Sequence, residues 1–426
     1  MLDIRLVREE PERIRHNLKQ RGALDKLPVL DKLRQADERY RLLLQELETL
    51  RHRRNLNTEA MRKRKEEGEP MEKHRKDMAL LGGKIKEAEA AAAAEQAEAE
   101  RLLLALPNLL HESVPPGKDD TENQVIRTWG KRPAFSFAPK GHEELGLGLD
   151  ILDLERAGKL AGARFYFLKG AGALLDLALQ RFALQQLQAQ GFLPILPPAM
   201  MRREPYQGVV DLHDFEDVMY KVEGDDLYLI ATSEHPLVAQ YAGEVLPADQ
   251  LPLKLAGVSA CFRREAGSHG KDTKGIFRVH QFNKVEMVIL CRPDESWKMH
   301  EQLIRLSEGL VQQLELPYRV VNVCTGDIGS IAAKKYDIEA WFPTQGRYRE
   351  LGSCSNCTDY QARRLRIRFG KRDAPAEGLV HTLNNTGIAT TRTIAAILEN
   401  GQQADGSVRV PRVLQSLVGM KKLEPL

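Results

Sequence analysis

Between Pro28 and Met61 the apolar side chains fall at Leu33, Ala36, Tyr40, Leu43, Leu47, Leu50 and Met61, with charged residues filling the gaps. Alternating steps of three and four mark one face of a helix and, sustained over this length, the seam of a helix pair. A second row runs through Met71, Met78, Leu81, Ile85, Ala88, Ala92, Ala99, Leu102 and Leu106. Glycine and proline in EEGEP, residues 66–70, break the chain between the two rows, and SVPPGKDD at 113–120 follows the second. The alanine-rich stretch AEAAAAAEQAEAE favours helix, and its small side chains let a neighbouring helix approach closely. The pattern predicts an antiparallel helical hairpin over about residues 28–106, each helix roughly 38 residues and on the order of 55 Å long. Neither helix has a second apolar face, so the arm is expected to lie in solvent.

Beyond a linker at 111–125 the periodicity changes to mixed strands and helices, which makes the chain α+β. GARFYFLKGAGALLDLALQRFALQQLQAQGF reads as strand, turn and a long amphipathic helix. Side chains on a strand alternate between faces. In IFRVHQFNKVEMVI the odd positions Phe277, Val279, Val285, Met287 and Ile289 are apolar, while the even ones are Arg278, His280, Phe282, Lys284 and Glu286. In CFRRE, Arg263 and Glu265 share a face, and Arg264 points the other way. Antiparallel pairing of these runs would give one sheet face two arginines, an aromatic ring and two glutamates. Arg278 and Glu286 would then stand roughly 27 Å apart. Guanidinium groups suit phosphates, a phenyl ring suits a purine, and carboxylates suit an ammonium. LYLIATSE places Thr232 and Glu234 on one face with Tyr228 and Ile230. In RYRELGSCSNC, Glu350, Ser353 and Asn356 fall in a run too irregular for strand parity, with Gly352 as a bulge. HTLNNTGIATTRTIAAILEN reads as a short strand, a glycine turn and a helix carrying Arg392 near its start, where an anion would be favoured.

Composition narrows the field. With 426 residues, 42% hydrophobic, the chain can bury a large core, and the absence of any run of about 18 apolar residues argues against a membrane span. The N-terminus carries early acidic residues and no apolar signal stretch, and the five cysteines are scattered and odd in number. A cytoplasmic protein is expected. Net charge is only +3, so nucleic-acid affinity must come from clustering. RHRRN at 51–55, RKRK at 62–65 and HRK at 74–76 supply it on the outer half of the hairpin, although most such runs are simply solvated faces. GAG at 170–172 lacks the third glycine of a dinucleotide fingerprint, and GSHGK at 267–271 is too short for a phosphate loop. CSNC at 354–357 has no second ligand pair at zinc spacing.

Taken in order, these motifs resemble the class II aminoacyl-tRNA synthetases, and within them the seryl-tRNA synthetase family. GFLPILPPAMM at 191–201 is similar to motif 1, FRREAGSHGKDTKGIFRVHQF to motif 2 and NTGIATTRT to motif 3. TSE at 232–234, CTGDIG at 324–329, KKYDIEAW at 334–341 and SCSN at 353–356 are more specific to the family. The resemblance covers essentially the whole chain. It implies an N-terminal tRNA-binding domain at 1–110, a class II catalytic domain at 126–426 built on an antiparallel sheet flanked by helices, and activation of L-serine with ATP. On that basis Arg263 would hold the α-phosphate, Glu265 the adenine amino group and Phe282 the adenine ring, with Arg264 and the backbone of Val279 alongside. Arg278 and Arg392 would hold the outer phosphates. Glu350, Leu351, Gly352 and Ser353 would contact ATP, with Glu350 and Ser353 on Mg²⁺. Thr232, Ser233, Glu234, Arg263, Glu286 and Thr386 would surround serine. The arm would take tRNA(Ser), and tRNA(Sec) is a second acceptor to consider. Motif 1 implies a homodimer.

The chain departs from the family pattern in four places. Arg264 replaces a common serine, Gly352 stands in Glu-x-Ser-Ser, LNNTG replaces Leu-Asn-Gly-Ser-Gly, and ATTRT lacks the glycine before Arg392. No charge needed for adenylate formation is lost. Two other readings stand beside the ligase: a catalytically retired tRNA-binding paralogue, against which Arg263, Glu350 and Arg392 all argue, and an amino acid:carrier-protein ligase, whose members lack the long arm.

Overall fold

Residues 1–107 form one unit and 108–426 another in a computed structural model that describes residues 1–67, 70, 72–211, 216–265, 274–372 and 374–425. The first unit begins with short helices α1 (Ile4–Glu9) and α2 (Pro11–Gln20), followed by the predicted pair, α3 (Leu27–Glu66) and α4 (Glu72–Leu104). Leu33, Ala36 and Leu47 are buried on α3, and Leu81, Ile85, Ala88, Ala92 and Ala99 on α4, so the heptad rows are the contact seam. Arg39 meets Glu95 and Arg51 meets Glu89, each at 2.8 Å, as antiparallel helices require. Exposed pairs of this kind add well under about 1 kcal/mol each, so the apolar seam carries the hairpin. Asp37, almost fully buried, accepts from Arg8 at 2.6 and 2.9 Å and ties α1 to α3. Met71 and part of EEGEP lie outside the described residues. The basic side chains Arg53, Arg54, Lys63, Lys65, Arg75 and Lys76 are exposed.

The second unit is built on an eight-stranded sheet of β1 (Gln124–Trp129), β2 (Leu193–Ile195), β3 (Leu253–Phe262), β4 (Gln281–Cys291), β5 (Tyr318–Asn322), β6 (Lys334–Phe342), β7 (Arg347–Asn356) and β8 (His381–Ala389). Their spatial order is β1-β5-β6-β7-β8-β4-β3-β2, antiparallel throughout except for the parallel pair β2–β3. Helices α5 (His142–Gly148), α6 (Ala171–Ala189), α7 (Glu234–Ala239), α8 (Ser296–Gln313) and α9 (Thr390–Gly401) pack around it. The odd face of β4 does what its pattern predicts: Val285, Met287 and Ile289 are wholly buried in one core with Leu175 and Phe182 of α6 and Leu303 of α8. Its even face is polar only at Lys284 and Glu286. Val288 and Leu290 turn apolar again and enter a second core with Tyr206, Tyr228 and Leu237.

Several predicted details differ. β3 ends at Phe262 and β4 starts only at Gln281, with turns and bends over 274–280, so the long strand face from Arg278 to Glu286 does not form. Phe277 and Val279 are buried, but as plugs in the core rather than as strand residues, and their alternation imitated a strand. Glu265 has φ +49°, which takes it off the face of Arg263. The strand before TSE is only Tyr228–Leu229, and α7 begins at Glu234. The irregular run around Glu350 is a full strand, β7. Its register against β6 slips where Ile338 faces Gly352 and Glu339 faces Glu350, leaving Leu351 as the extra residue of a bulge. Gly387 makes no turn: β8 runs straight through it into α9, with a register slip between Thr386 and Ile388 against β4. A Cβ there would stand 3.2 Å from the Val285 carbonyl oxygen, so glycine permits the close approach.

Candidate active site

The even face of β4, the edge of β8 and the start of α9 enclose a cavity of about 390 Å³. Register explains the grouping. Glu286 pairs with Thr386 on β8 and with Gly257 on β3. Gly257 leaves the space into which the 232–234 turn packs; a Cβ there would meet the Ser233 hydroxyl at 2.8 Å. Ser233, fully buried, donates to the Gly257 carbonyl at 3.2 Å and holds that turn against the sheet. Thr232 accepts the Glu234 N–H at 3.2 Å, and Thr232 and Glu234 both face the cavity.

Four carboxylates, Asp211, Glu234, Glu286 and Glu350, share the space with Arg263, Lys284 and Arg392. Lys284 and Glu286 form a buried pair at 2.6 Å, and Thr386 Oγ1 donates to Glu286 at 3.3 Å. Glu234 Oε1 accepts from Gln361 and from Asn384, each at 3.0 Å. Burial, with the charge of Glu286 added, pushes the Glu234 carboxyl up to about 7, against the pull of Gln361, Lys284 and Arg263. Across the cavity, Arg392 bonds the Glu350 carboxylate and carbonyl at 3.2 Å each. Burial would raise Glu350, but Arg392, Lys335 and Arg263 outweigh it and hold it below the usual carboxylate range. The Arg263 guanidinium lies 5.3 Å from the Phe282 ring, and its Nε donates to the Ala231 carbonyl at 3.4 Å. One end of the cavity therefore suits an ammonium and the other a polyanion. No activated serine or cysteine nucleophile faces it among the described residues, which leaves orientation and charge neutralisation as its chemical means.

Of the residues singled out from sequence, Thr232, Glu234, Arg263, Phe282, Glu286, Glu350, Leu351, Gly352, Ser353, Thr386 and Arg392 line this one cavity. Ser233, Arg264, Glu265, Arg278 and Val279 do not. Arg264 is exposed, its N–H bonded to the Val218 carbonyl; Val279 is buried in the core; Glu265 pairs with Arg278 at 2.7 Å. His280 has a structural place, its Nδ1 donating to the Arg263 carbonyl at 2.8 Å. Cys354 and Cys357 are free, buried thiols raised well above their ordinary value by burial, unlike the thiolates of a zinc site.

The sequence reading gave no role to Lys284, His235, Asn384 or Asp337. Lys284 was legible in principle, two residues before Glu286 on the same face. His235 lines the cavity with its Nδ1 against the Tyr206 hydroxyl at 2.8 Å, and burial holds it well below the usual histidine range. Asp337 faces Ser353 across β6 and β7, and its Oδ1 has no hydrogen-bond partner although it is buried. Asn384 became recognisable only once β8 lay beside α7.

Residues 1–110 match the family model described as seryl-tRNA synthetase N-terminal domain, and residues 218–401 match the tRNA synthetase class II core domain (G, H, P, S and T). The chain is 52% identical to a serine--tRNA ligase of Methanospirillum hungatei over 99% of its own length and 100% of the relative's. It belongs to the seryl-tRNA synthetase family. The similarity extends to three dimensions: the crystal structure of seryl-tRNA synthetase from Pyrococcus horikoshii complexed with ATP superposes with a TM-score of 0.96 at 48% identity, covering 100% of both chains. The cytoplasmic serine-tRNA ligase from Naegleria fowleri in complex with AMP gives 0.89 at 36% identity, covering 100% of this chain and 99% of that one. Seryl-tRNA synthetase architecture thus accounts for both units, the helical hairpin as well as the sheet. Among the described residues no helix is long and apolar enough to cross a membrane.

Proposed function

We propose that this chain is an ATP-dependent serine--tRNA ligase that uses the cavity on β4 to join L-serine to AMP. The observation that carries the reading is the division of one cavity between Glu234, Glu286 and Thr386 at one end and Arg263, Arg392 and Glu350 at the other. Serine's ammonium and hydroxyl match the first group. The phosphates match the second, with the adenine laid on Phe282. The serine carboxylate attacks the α-phosphorus in line and pyrophosphate leaves; Arg263 neutralises the charge that develops on the α-phosphate oxygens, and Arg392 neutralises the leaving group. The ribose hydroxyl at the 3′ end of tRNA(Ser) then takes the seryl group and AMP departs. Acid-precipitable labelled serine should accumulate when the chain is incubated with ATP and tRNA(Ser), and no accumulation would count against the reading.

Mg²⁺ fits the donors that are present. Glu350 and the Ser353 hydroxyl face the cavity, and Asp337, opposite Ser353, brings a buried oxygen that lacks a partner and a carboxyl raised by burial. Among the described residues no three acidic, histidine or cysteine side chains form a ready-made cage. That suits an ion arriving with the nucleotide and held by one or two carboxylates plus phosphate oxygens. When bound, the ion would add positive charge at the phosphates.

Glu234 makes serine binding depend on pH. Its carboxyl, raised to about 7, is mostly protonated at pH 6 and ionised at pH 8. A cationic ammonium favours the ionised form, so the KM for serine should fall about tenfold per pH unit up to neutrality and level off above it. The same shift works against the empty protein. The unfolded chain releases this proton near the usual glutamate value while the fold retains it, so unliganded stability declines as pH rises from there to about 7. Glu234→Gln should therefore raise the Tm of the unliganded protein at pH 8 and leave it unchanged at pH 4. A serine KM flat across pH 6–8 would contradict this assignment.

A homodimer through the motif 1 region is part of the proposal. Leu160, Phe167, Leu174, Leu177, Leu193 and Leu196 are all exposed within some forty residues, apolar surface of the kind that marks an interaction site where it is contiguous. A two-fold axis buries the same face on both copies. Light scattering at micromolar concentration should give twice the chain's mass, and Leu177→Glu should shift it toward the monomer. A monomeric parent chain would end this part of the account.

A further inference from the structure

His142 opens α5, and its side chain is only 9% exposed. Nδ1 donates to Glu399 Oε1 at 2.9 Å, and Nε2 accepts the backbone N–H of Ile276 at 3.3 Å, so one neutral tautomer serves both partners. Gly275, at φ +69°, lies directly against the ring; a Cβ there would stand 2.2 Å from Nε2. The Glu399 carboxylate is wholly buried on α9, and its other oxygen accepts from the Thr344 hydroxyl at 2.5 Å. Burial would raise this carboxyl, but the hydrogen bonds from His142 and Thr344 outweigh it and hold it below the usual range. One imidazole thus joins α5, the 275–278 segment and α9.

Of these, α9 carries Arg392 at the anion end of the cavity, and the 275–278 segment packs against it. Phe277, next to Ile276, packs edge-on against Phe342 at 5.3 Å, and the guanidinium groups of Arg349 and Arg392 lie 4.1 and 5.2 Å from its ring. Arg392 and Glu399 are seven residues apart on α9 and therefore on one face. Shifting Ile276 or Glu399 would move the aromatic ring against which Arg392 rests, or the helix from which Arg392 projects.

We propose that His142 is a positioning residue for adenylate formation, which through Ile276 and Glu399 fixes Phe277 and with it the Arg392 guanidinium that meets the outer phosphates of ATP. The proposal rests on reading the cavity as an ATP site. Its test is steady-state ATP–pyrophosphate exchange with the full chain, varying ATP and serine separately. His142→Ala should lower kcat/KM for ATP about tenfold while the serine KM stays within twofold. In an Arg392→Ala background the same change should cost less than threefold further, because the residue it positions is already gone. Thr344→Val, which leaves the imidazole in place, should show the same ATP-side split at smaller size even where His142→Ala folds poorly. Equal effects on both substrates, no effect, or full additivity with Arg392→Ala would overturn the proposal. Absence of exchange in the parent chain would instead remove the ATP reading beneath it, so the two failures are distinguishable.

Discussion

Replacing Arg263 with alanine is expected to lower serine-dependent ATP–pyrophosphate exchange by about 10²–10³-fold, the usual cost of removing a preorganised donor from developing charge. Arg263 lines the cavity with Arg392 and Glu350. Its guanidinium sits 5.3 Å from the Phe282 ring, its Nε is fixed by the Ala231 carbonyl, and its charge acts on both Glu234 and Glu350. It follows directly after β3 and makes its own backbone bond to the His280 carbonyl at 2.8 Å, so the main chain at this point does not depend on the side chain. Thermal unfolding should therefore shift little while exchange collapses. Arg263→Lys restores a charge but not the planar fork, and should recover only part of the loss. Exchange within fivefold of the parent in Arg263→Ala would show that the α-phosphate is not neutralised here.

Excising residues 46–91 and joining the ends through a short glycine turn is expected to cut serylation of tRNA(Ser) by at least about 10²-fold, as removal of several phosphate contacts does. Exchange without tRNA should stay within threefold. The excised stretch carries the exposed Arg53, Arg54, Lys63, Lys65, Arg75 and Lys76, whereas every residue lining the cavity lies beyond residue 208. The base of the hairpin survives the cut, because Leu30, Leu33 and Ala36 are fully buried and Asp37 keeps its pair with Arg8. Rising salt should weaken charging by the parent more steeply than by the shortened chain. Equal loss of both activities would refute this division of labour.

What could be read from the sequence depended on how local the determining contacts are. The hairpin was legible because its seam is periodic within each helix: Leu33, Ala36 and Leu47 are buried as their spacing requires. The odd face of β4 was legible for the same reason. The segment before it differs because Phe277 and Val279 alternate like strand residues while being buried in the core, Phe277 against Phe342 of β6, by contacts that no local pattern reveals. Gly387 looked like a turn, and its function is instead a close approach to Val285 on a neighbouring strand. The family resemblance named eleven of the residues that line the cavity, among them the charged Glu234, Arg263, Glu286, Glu350 and Arg392. It assigned no role to Asn384 or Asp337, although both lie within its motifs, and did not reach the His142–Glu399 pair. Each of these acquires a role only from a partner far away in the chain, as Asn384 does from Glu234.

The most direct test of the central claim is ATP–pyrophosphate exchange by the purified full chain, without tRNA, across serine, threonine, alanine, glycine and cysteine. The account predicts exchange confined mainly to serine, because Glu234, Glu286 and Thr386 offer partners for an ammonium and a small hydroxyl. Exchange driven by another amino acid, or none with any of the five, would contradict it.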